Sequence, residues 1–184
     1  MAKLIGKRII LGVAGGIAAY KSCELASRLV KEKAHVTVIL TRGARHFVTP
    51  YVFEALTGQP CLTRLFKRIN PNQSPYPHID PAGKADLVLI APATADLMAR
   101  LAHGLADDLL STLMLSVRCP VMICPSMNVQ MWDHPATQAN VKILKGFGHK
   151  FLGPESGRLA CGMEGAGRMV EPADIISAVC KELV

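Results

Sequence analysis

Cys161 is the residue in this sequence best placed to do chemistry, because Gly157, Gly162, Gly165 and Gly167 surround it. A glycine-flanked cysteine serves structure more often than reaction, yet glycines in that number mark a segment able to move. An exposed thiol on such a segment suits proton transfer. His78 closes a stretch from 67 to 81 that holds Asn70, Pro71, Asn72, Ser74, Pro75, Pro77 and Pro81, too many breakers for a regular element. A loop of that length inside a compact domain is a binding loop or a mobile one. The other histidines, His35, His46, His103, His134 and His149, carry no such mark and read as surface residues. Asn128 stands where a helix begins, so it can cap that helix while its amide faces a ligand.

These groups need a scaffold. Short β-rich runs alternate with helical ones along the chain, the pattern of a parallel sheet covered on both faces. Arg8–Val13 and Val36–Leu40 read as strands, with a break at Gly15-Gly16 and a helix from about Ile17 to Lys31 between them. Ala85–Ala91 is apolar on both alternating faces, as a central parallel strand is, and Pro120–Cys124 reads as another. Leu110, Leu113, Met114 and Val117 trace an amphipathic helix opened by Asp107 and Asp108. Ala136, Ala139, Ile143 and Phe147 trace a further one, and a terminal helix runs from about Pro172 to the end.

Composition narrows the class. A chain of 184 residues suits a single domain, 1–184, with a buried core. Aromatics reach only 5%, so aliphatic side chains and methionine must fill that core. Apolar stretches are broken by Pro, Gly or charge before they could cross a bilayer, and the basic N-terminus precedes no long apolar run. A cytoplasmic protein with no membrane partner is the expectation. The net charge of +7 comes from scattered basic residues with no interleaved aromatics, which argues against nucleic acid. Small phosphorylated ligands or a solvated basic surface account for it. None of the six cysteines forms a CxxC pair or lies at zinc spacing from a histidine, so reduced thiols and no metal are expected. Cys119 and Cys124 read as small core residues.

Ligands of an open parallel sheet bind beyond the carboxyl ends of its strands. Four segments there combine small residues with free amides or hydroxyls: Gly15-Gly16-Ile17, Thr41-Arg42-Gly43-Ala44, Pro92-Ala93-Thr94-Ala95-Asp96 and Pro125-Ser126-Met127-Asn128. Each alone is ordinary turn chemistry. Together they describe a phosphate-bearing cofactor, with amides at a helix N-terminus pointing at the anion. Gly12, Gly15 and Gly16 give GxxGG rather than the dinucleotide GxGxxG, and Lys21-Ser22 lacks the glycine of a Walker loop. No GxSxG elbow is present. A mononucleotide such as FMN remains.

Ala91-Pro92-Ala93-Thr94-Ala95-Asp96, Pro125-Ser126-Met127-Asn128-Val129-Gln130-Met131-Trp132 and Leu159-Ala160-Cys161-Gly162 occur in this order. They resemble the three signatures of the homo-oligomeric flavin-containing cysteine decarboxylases. Within that family the likeness is to the phosphopantothenoylcysteine decarboxylase branch, in bacteria often fused to a phosphopantothenoylcysteine synthetase. It runs from Gly12 to about Pro172, and the PxMNxxMW string is its most specific part.

The resemblance implies a three-layer α/β/α fold with a mostly parallel Rossmann-like sheet, bound FMN, and trimers or multiples of them. Gly15, Gly16 and Ile17 would meet the cofactor through backbone amides. Thr41 and Thr94 would bond its phosphate or ribityl chain, helped by the backbone of Ala95, Asp96 and Leu97, and Ser126 would lie against the ring. Asn128 would hold the substrate carboxylate or amide, with Met127 beside it in the substrate pocket; Met127, Met131 and Trp132 otherwise read as packing. His78 matches the family's active-site histidine and Cys161 the cysteine of its substrate-covering flap. The chain departs from the family's usual pattern at Pro81, where leucine is common, at Ser126 for alanine and at Asp96 for asparagine.

The implied reaction converts 4′-phosphopantothenoylcysteine to 4′-phosphopantetheine. FMN oxidises the thiol-bearing carbon to a thioaldehyde, which accepts electrons as carbon dioxide leaves, and the enethiol is then reduced. His78 would assist the early steps and Cys161 would protonate the enethiol. Rival readings are a flavin prenyltransferase on the same fold, a peptide-cysteine decarboxylase that stops at the enethiol, and a non-enzymatic flavin electron carrier. The PxMN string counts against the first, the flap cysteine against the second, and the joint presence of His78, Asn128 and Cys161 against the third.

Overall fold

Strands form here where β-branched and leucine side chains alternate between two apolar environments. In β1 (Arg8–Val13) the side chains of Ile9, Leu11 and Val13 enter one core and Ile10 the other. In β3 (Leu87–Ala93) the split is Leu87, Leu89 and Ala91 against Val88, Ile90 and Ala93. A strand buried on both faces is what a parallel sheet between two helical layers requires. The computed structural model describes residues 2–66 and 78–184. Asn70, Pro71, Asn72, Ser74, Pro75 and Pro77 of the breaker-rich stretch therefore lie outside the described residues.

β2 (His35–Leu40), β1, β3, β4 (Val121–Pro125) and β5 (Lys150–Phe151) form a five-stranded sheet in the order β2-β1-β3-β4-β5, with every neighbouring pair parallel. One face carries α1 (Ala19–Lys31), α2 (Pro50–Thr57) and α8 (Pro172–Leu183), packed through Leu25, Leu29, Phe53, Ile175 and Val179. The other carries α4 (Ala95–Ala102), α5 (Leu109–Met114) and α7 (Pro135–Gly146), through Leu97, Met98, Leu110, Val141 and Leu144. This is the flavodoxin-like, three-layer arrangement. Its switch point lies between β1 and β3, where the chain reverses its direction across the sheet and leaves a crevice at the strand ends. Ser22 in α1 donates a buried 2.7 Å hydrogen bond to the Ala91 carbonyl, tying the first helix to the central strand.

Four expectations need correction. The central strand begins two residues later than Ala85 and runs on through Pro92-Ala93. Ala85 ends a short helix, α3 (Asp80–Lys84), and the Asp86 carboxylate instead accepts from the Arg8 amide at 2.7 Å. Asp80 and Pro81 belong to that helix rather than to a loop, because proline's missing donor costs nothing in a first turn. The stripe of α7 is Thr137, Val141 and Leu144, while Ala136, Ala139 and Phe147 face outward. Finally, α5 stops at Met114, short of Val117, and its cap is Asp108 in a reciprocal box with Ser111.

The two loops after β1 and β2 touch. A Cβ built on Gly15 would stand 2.5 Å from the Gly43 carbonyl carbon and 2.7 Å from its Cα, both backbone atoms. Gly15→Ala must push these loops apart, which costs roughly 1–3 kcal/mol. The thermal unfolding midpoint of that variant is expected to fall by at least about 2 °C; an unchanged midpoint would mean that the loops separate freely.

Candidate active site

At the β1/β3 switch point a cleft of about 560 Å³ opens, within the range of small-molecule sites. Its floor is the turn from Gly15 to Ala18, which starts α1. The amides of Gly16, Ile17 and Ala18 donate to no backbone carbonyl among the described residues, and Ala18 has no side-chain cap. Unsatisfied donors at the positive end of a helix make an anion cradle. Thr94 and Ala95 form the wall from the end of β3. The Thr94 hydroxyl caps α4 by accepting from the Leu97 amide at 3.3 Å.

The opposite wall is built by the loop after β4 and by an antiparallel hairpin, β6 (Glu155–Arg158) and β7 (Glu164–Arg168). The hairpin turn is closed by Leu159 N to Met163 O at 2.8 Å and Gly162 N to Leu159 O at 2.9 Å. Cys161 sits at its tip, exposed. The hairpin is anchored where the Met127 amide donates to the Gly167 carbonyl at 3.0 Å. A Cβ on Gly167 would lie 2.3 Å from the Met127 oxygen, so only glycine permits this approach.

Asn128 does two things at once. Its Oδ1 caps the short helix α6 (Val129–Asp133) by accepting from the Gln130 amide at 2.8 Å. Its Nδ2 points at the hairpin and donates to Cys161 Sγ at 3.3 Å and to Met163 Sδ at 3.1 Å. The Met163 backbone amide and then the Asn128 amide lower the Cys161 pKa below that of an ordinary thiol. Every other cysteine shifts the opposite way. Burial pushes Cys61 and Cys124 up to about 12 and raises Cys23, Cys119 and Cys180. Cys161 is thus the one activated thiol.

Gly15, Gly16, Ile17, Thr94, Ala95, Ser126, Met127, Asn128 and Cys161 all line this one cleft. Four expected site residues do not. Thr41 accepts from the Ala44 amide at 3.2 Å and shapes the loop packed on Gly15. Asp96 pairs with Arg100 at 3.1 Å, and the Leu97 side chain is buried. His78 precedes α3, half-buried, with its Nδ1 enclosed and without a partner among the described residues. Lys21, Arg158 and Arg168 also line the cleft. No spacing distinguishes them along the chain, since they come from three separate elements.

A flavin mononucleotide fits these residues: donors for a phosphate on the floor, small residues at the strand ends, and apolar side chains of Ile17, Met127, Met131 and Met169 for a ring system. No described helix is long and apolar enough to cross a membrane, and no described group of His, Cys, Asp and Glu could hold a metal.

Comparison with known proteins agrees with the fold. A model of the Flavoprotein family matches residues 2–184. The coenzyme A biosynthesis bifunctional protein CoaBC of Bacillus subtilis (strain 168) is 47% identical over 173 residues, covering 94% of this chain and 42% of that protein. The chain therefore spans less than half the length of the curated relatives it matches. Among solved structures, the FMN-dependent cysteine decarboxylase SpaF is 30% identical with a TM-score of 0.82, covering 98% of this chain and 97% of that one. A cysteine-to-serine variant of PPC decarboxylase complexed with pantothenoylaminoethenethiol is 29% identical with a TM-score of 0.83, covering 95% and 96%.

Proposed function

Because the chain belongs to the flavoprotein family, we propose that it is the FMN-dependent decarboxylase of 4′-phosphopantothenoylcysteine, producing 4′-phosphopantetheine for coenzyme A. The observation that carries this is the contact of Asn128 Nδ2 with Cys161 Sγ, in a cleft whose floor is an anion cradle. A flavin carrier needs no acidified thiol beside an amide donor.

FMN, when bound, supplies the two-electron oxidation of the thiol-bearing carbon and its later reversal. The protein supplies position and protons. The amides of Gly16, Ile17 and Ala18 receive the cofactor phosphate, with Thr94 and Ala95 beside them and Ser126 toward the ring. The Thr41 loop and the backbone of Asp96 and Leu97 support this cradle from behind. Asn128 and Met127 hold the substrate, the Asn128 amide orienting the departing carboxylate. Cys161 gives its proton to the enethiol carbon, and the hairpin excludes water while it does so.

His78 stands outside the walls of the cleft, and Ile17, Tyr20 and Met131 within it stay 58%, 61% and 50% exposed. Both facts favour a site completed by a second copy of the chain, in a trimer or a multiple of one, with His78 assisting the early steps from the neighbour. A phosphopantothenoylcysteine synthetase, fused or separate, makes the substrate, and the reaction belongs in the cytoplasm.

The test is direct. Purified protein is yellow, releases FMN on denaturation, scatters light as a multiple of three chains, and converts phosphopantothenoylcysteine to a product of the mass of phosphopantetheine. Release of FAD, an active monomer, or recovery of unchanged substrate would each remove part of the reading.

A further inference from the structure

Three cations face the same cleft as Asn128 and Cys161: Lys21 from the first turn of α1, Arg158 from β6 and Arg168 from β7. Glu171 accepts from Lys21 Nζ at 2.6 Å and from an Arg168 guanidinium nitrogen at 2.9 Å. Those contacts, Lys21 foremost, hold its carboxyl below the usual carboxylate range. Three cations against one carboxylate leave the wall with two positive charges in excess. Glu164 faces Arg158 in the hairpin register but does not line the cleft, and no described carboxylate oxygen comes within ion-pair distance of Arg158. The fold thus uses Lys21 and Arg168 to fasten the hairpin base to α1, and finds no internal use for Arg158.

We infer that Arg158, supported by Arg168 and Lys21, is the subsite for the terminal phosphate of the substrate, and so selects phosphorylated over unphosphorylated cysteine compounds. This rests on the decarboxylase reading above. A phosphomonoester carries close to two negative charges near neutral pH, and a guanidinium offers it paired donors in a plane. Arg168 engages Glu171 through one terminal nitrogen, so donors remain on its other edge. Two phosphates are thereby sorted by chemistry. The cofactor's meets uncharged backbone amides at the floor. The substrate's meets charged side chains, of which Arg158 is exposed.

Calorimetric titration of the flavin-loaded protein with 4′-phosphopantetheine and with pantetheine tests this. The wild type should bind the phosphorylated compound at least about tenfold more tightly, since a charge-assisted hydrogen bond of this kind is worth that much. Arg158→Ala should shrink that preference by about tenfold, and Arg158→Lys should restore part of it. The kcat/KM ratio for phosphopantothenoylcysteine against pantothenoylcysteine should shift in parallel. If Arg158→Ala weakens both compounds alike, or keeps the preference, the inference is overturned. If it purifies without flavin, the arginine serves the cofactor and the inference again fails. A wild type that decarboxylates neither compound would instead sink the decarboxylase reading, whereas one that turns over both equally sinks only the phosphate subsite.

Discussion

Cys161→Ser is expected to release carbon dioxide from phosphopantothenoylcysteine yet accumulate the enethiol, a product two hydrogens lighter than phosphopantetheine. The substitution sits on an exposed hairpin tip, so it leaves the fold alone and changes only the acid. A hydroxyl is a far weaker acid than a thiol already lowered by the Met163 and Asn128 donors. Loss of a positioned general acid costs on the order of 10²–10⁴-fold in the step it serves. The pH profile carries the same signature. Only the protonated thiol can donate, so formation of reduced product falls as pH rises through the Cys161 pKa. Because that pKa is lowered, the fall begins below the ordinary thiol range of about 8.5. In the serine variant this alkaline limb is absent. Mass measurement of quenched reactions across pH checks both statements. Reduced phosphopantetheine at the wild-type rate would return Cys161 to a structural role.

Asn128→Asp separates the two tasks of one side chain. Aspartate caps a helix as well as asparagine does and adds charge favourable to the helix N-terminus, so α6 keeps its start and the unfolding temperature stays put. The Nδ2 donor, however, is replaced by an anion facing the Cys161 sulfur and, on the proposed reading, the substrate carboxylate. Activity is expected to fall by at least about 10²-fold, since a donor is lost and a like charge gained in the same place. The residual alkaline limb should also move upward, because the new charge opposes ionisation of Cys161. Thermal unfolding measured beside turnover makes the comparison. A variant with both wild-type stability and wild-type turnover would reduce Asn128 to a cap.

The sequence carried the sheet well because burial on both faces writes long apolar runs. β1 is read to the residue, and β2 misses only His35. The central strand slipped by two residues because Ala85 and Asp86 are compatible with a strand until the Asp86 bond to Arg8 is seen. The face of α7 was misread because alanine marks neither side of a helix, and Phe147 lies beyond its last turn. β6 and β7 left no period-two signal, since glycines at 157, 165 and 167 offer no side chain to alternate. For the site, the glycine turns, the Asn128 cap and the glycine-flanked Cys161 are legible as local chemistry, while the contact between Asn128 and Cys161 is not. The cationic wall was not, because its members converge only through packing of α1 against the hairpin base.

The bond from the Met127 amide to the Gly167 carbonyl has a consequence for anyone exchanging parts among relatives. It welds the segment bearing Asn128 to the hairpin bearing Cys161, so these two side chains cannot be displaced independently. A hairpin transplanted alone would arrive with its own spacing between the weld and the thiol, and the amide would miss the sulfur. Residues 125–129 and 155–168 are therefore one transferable module, to be grafted together or not at all.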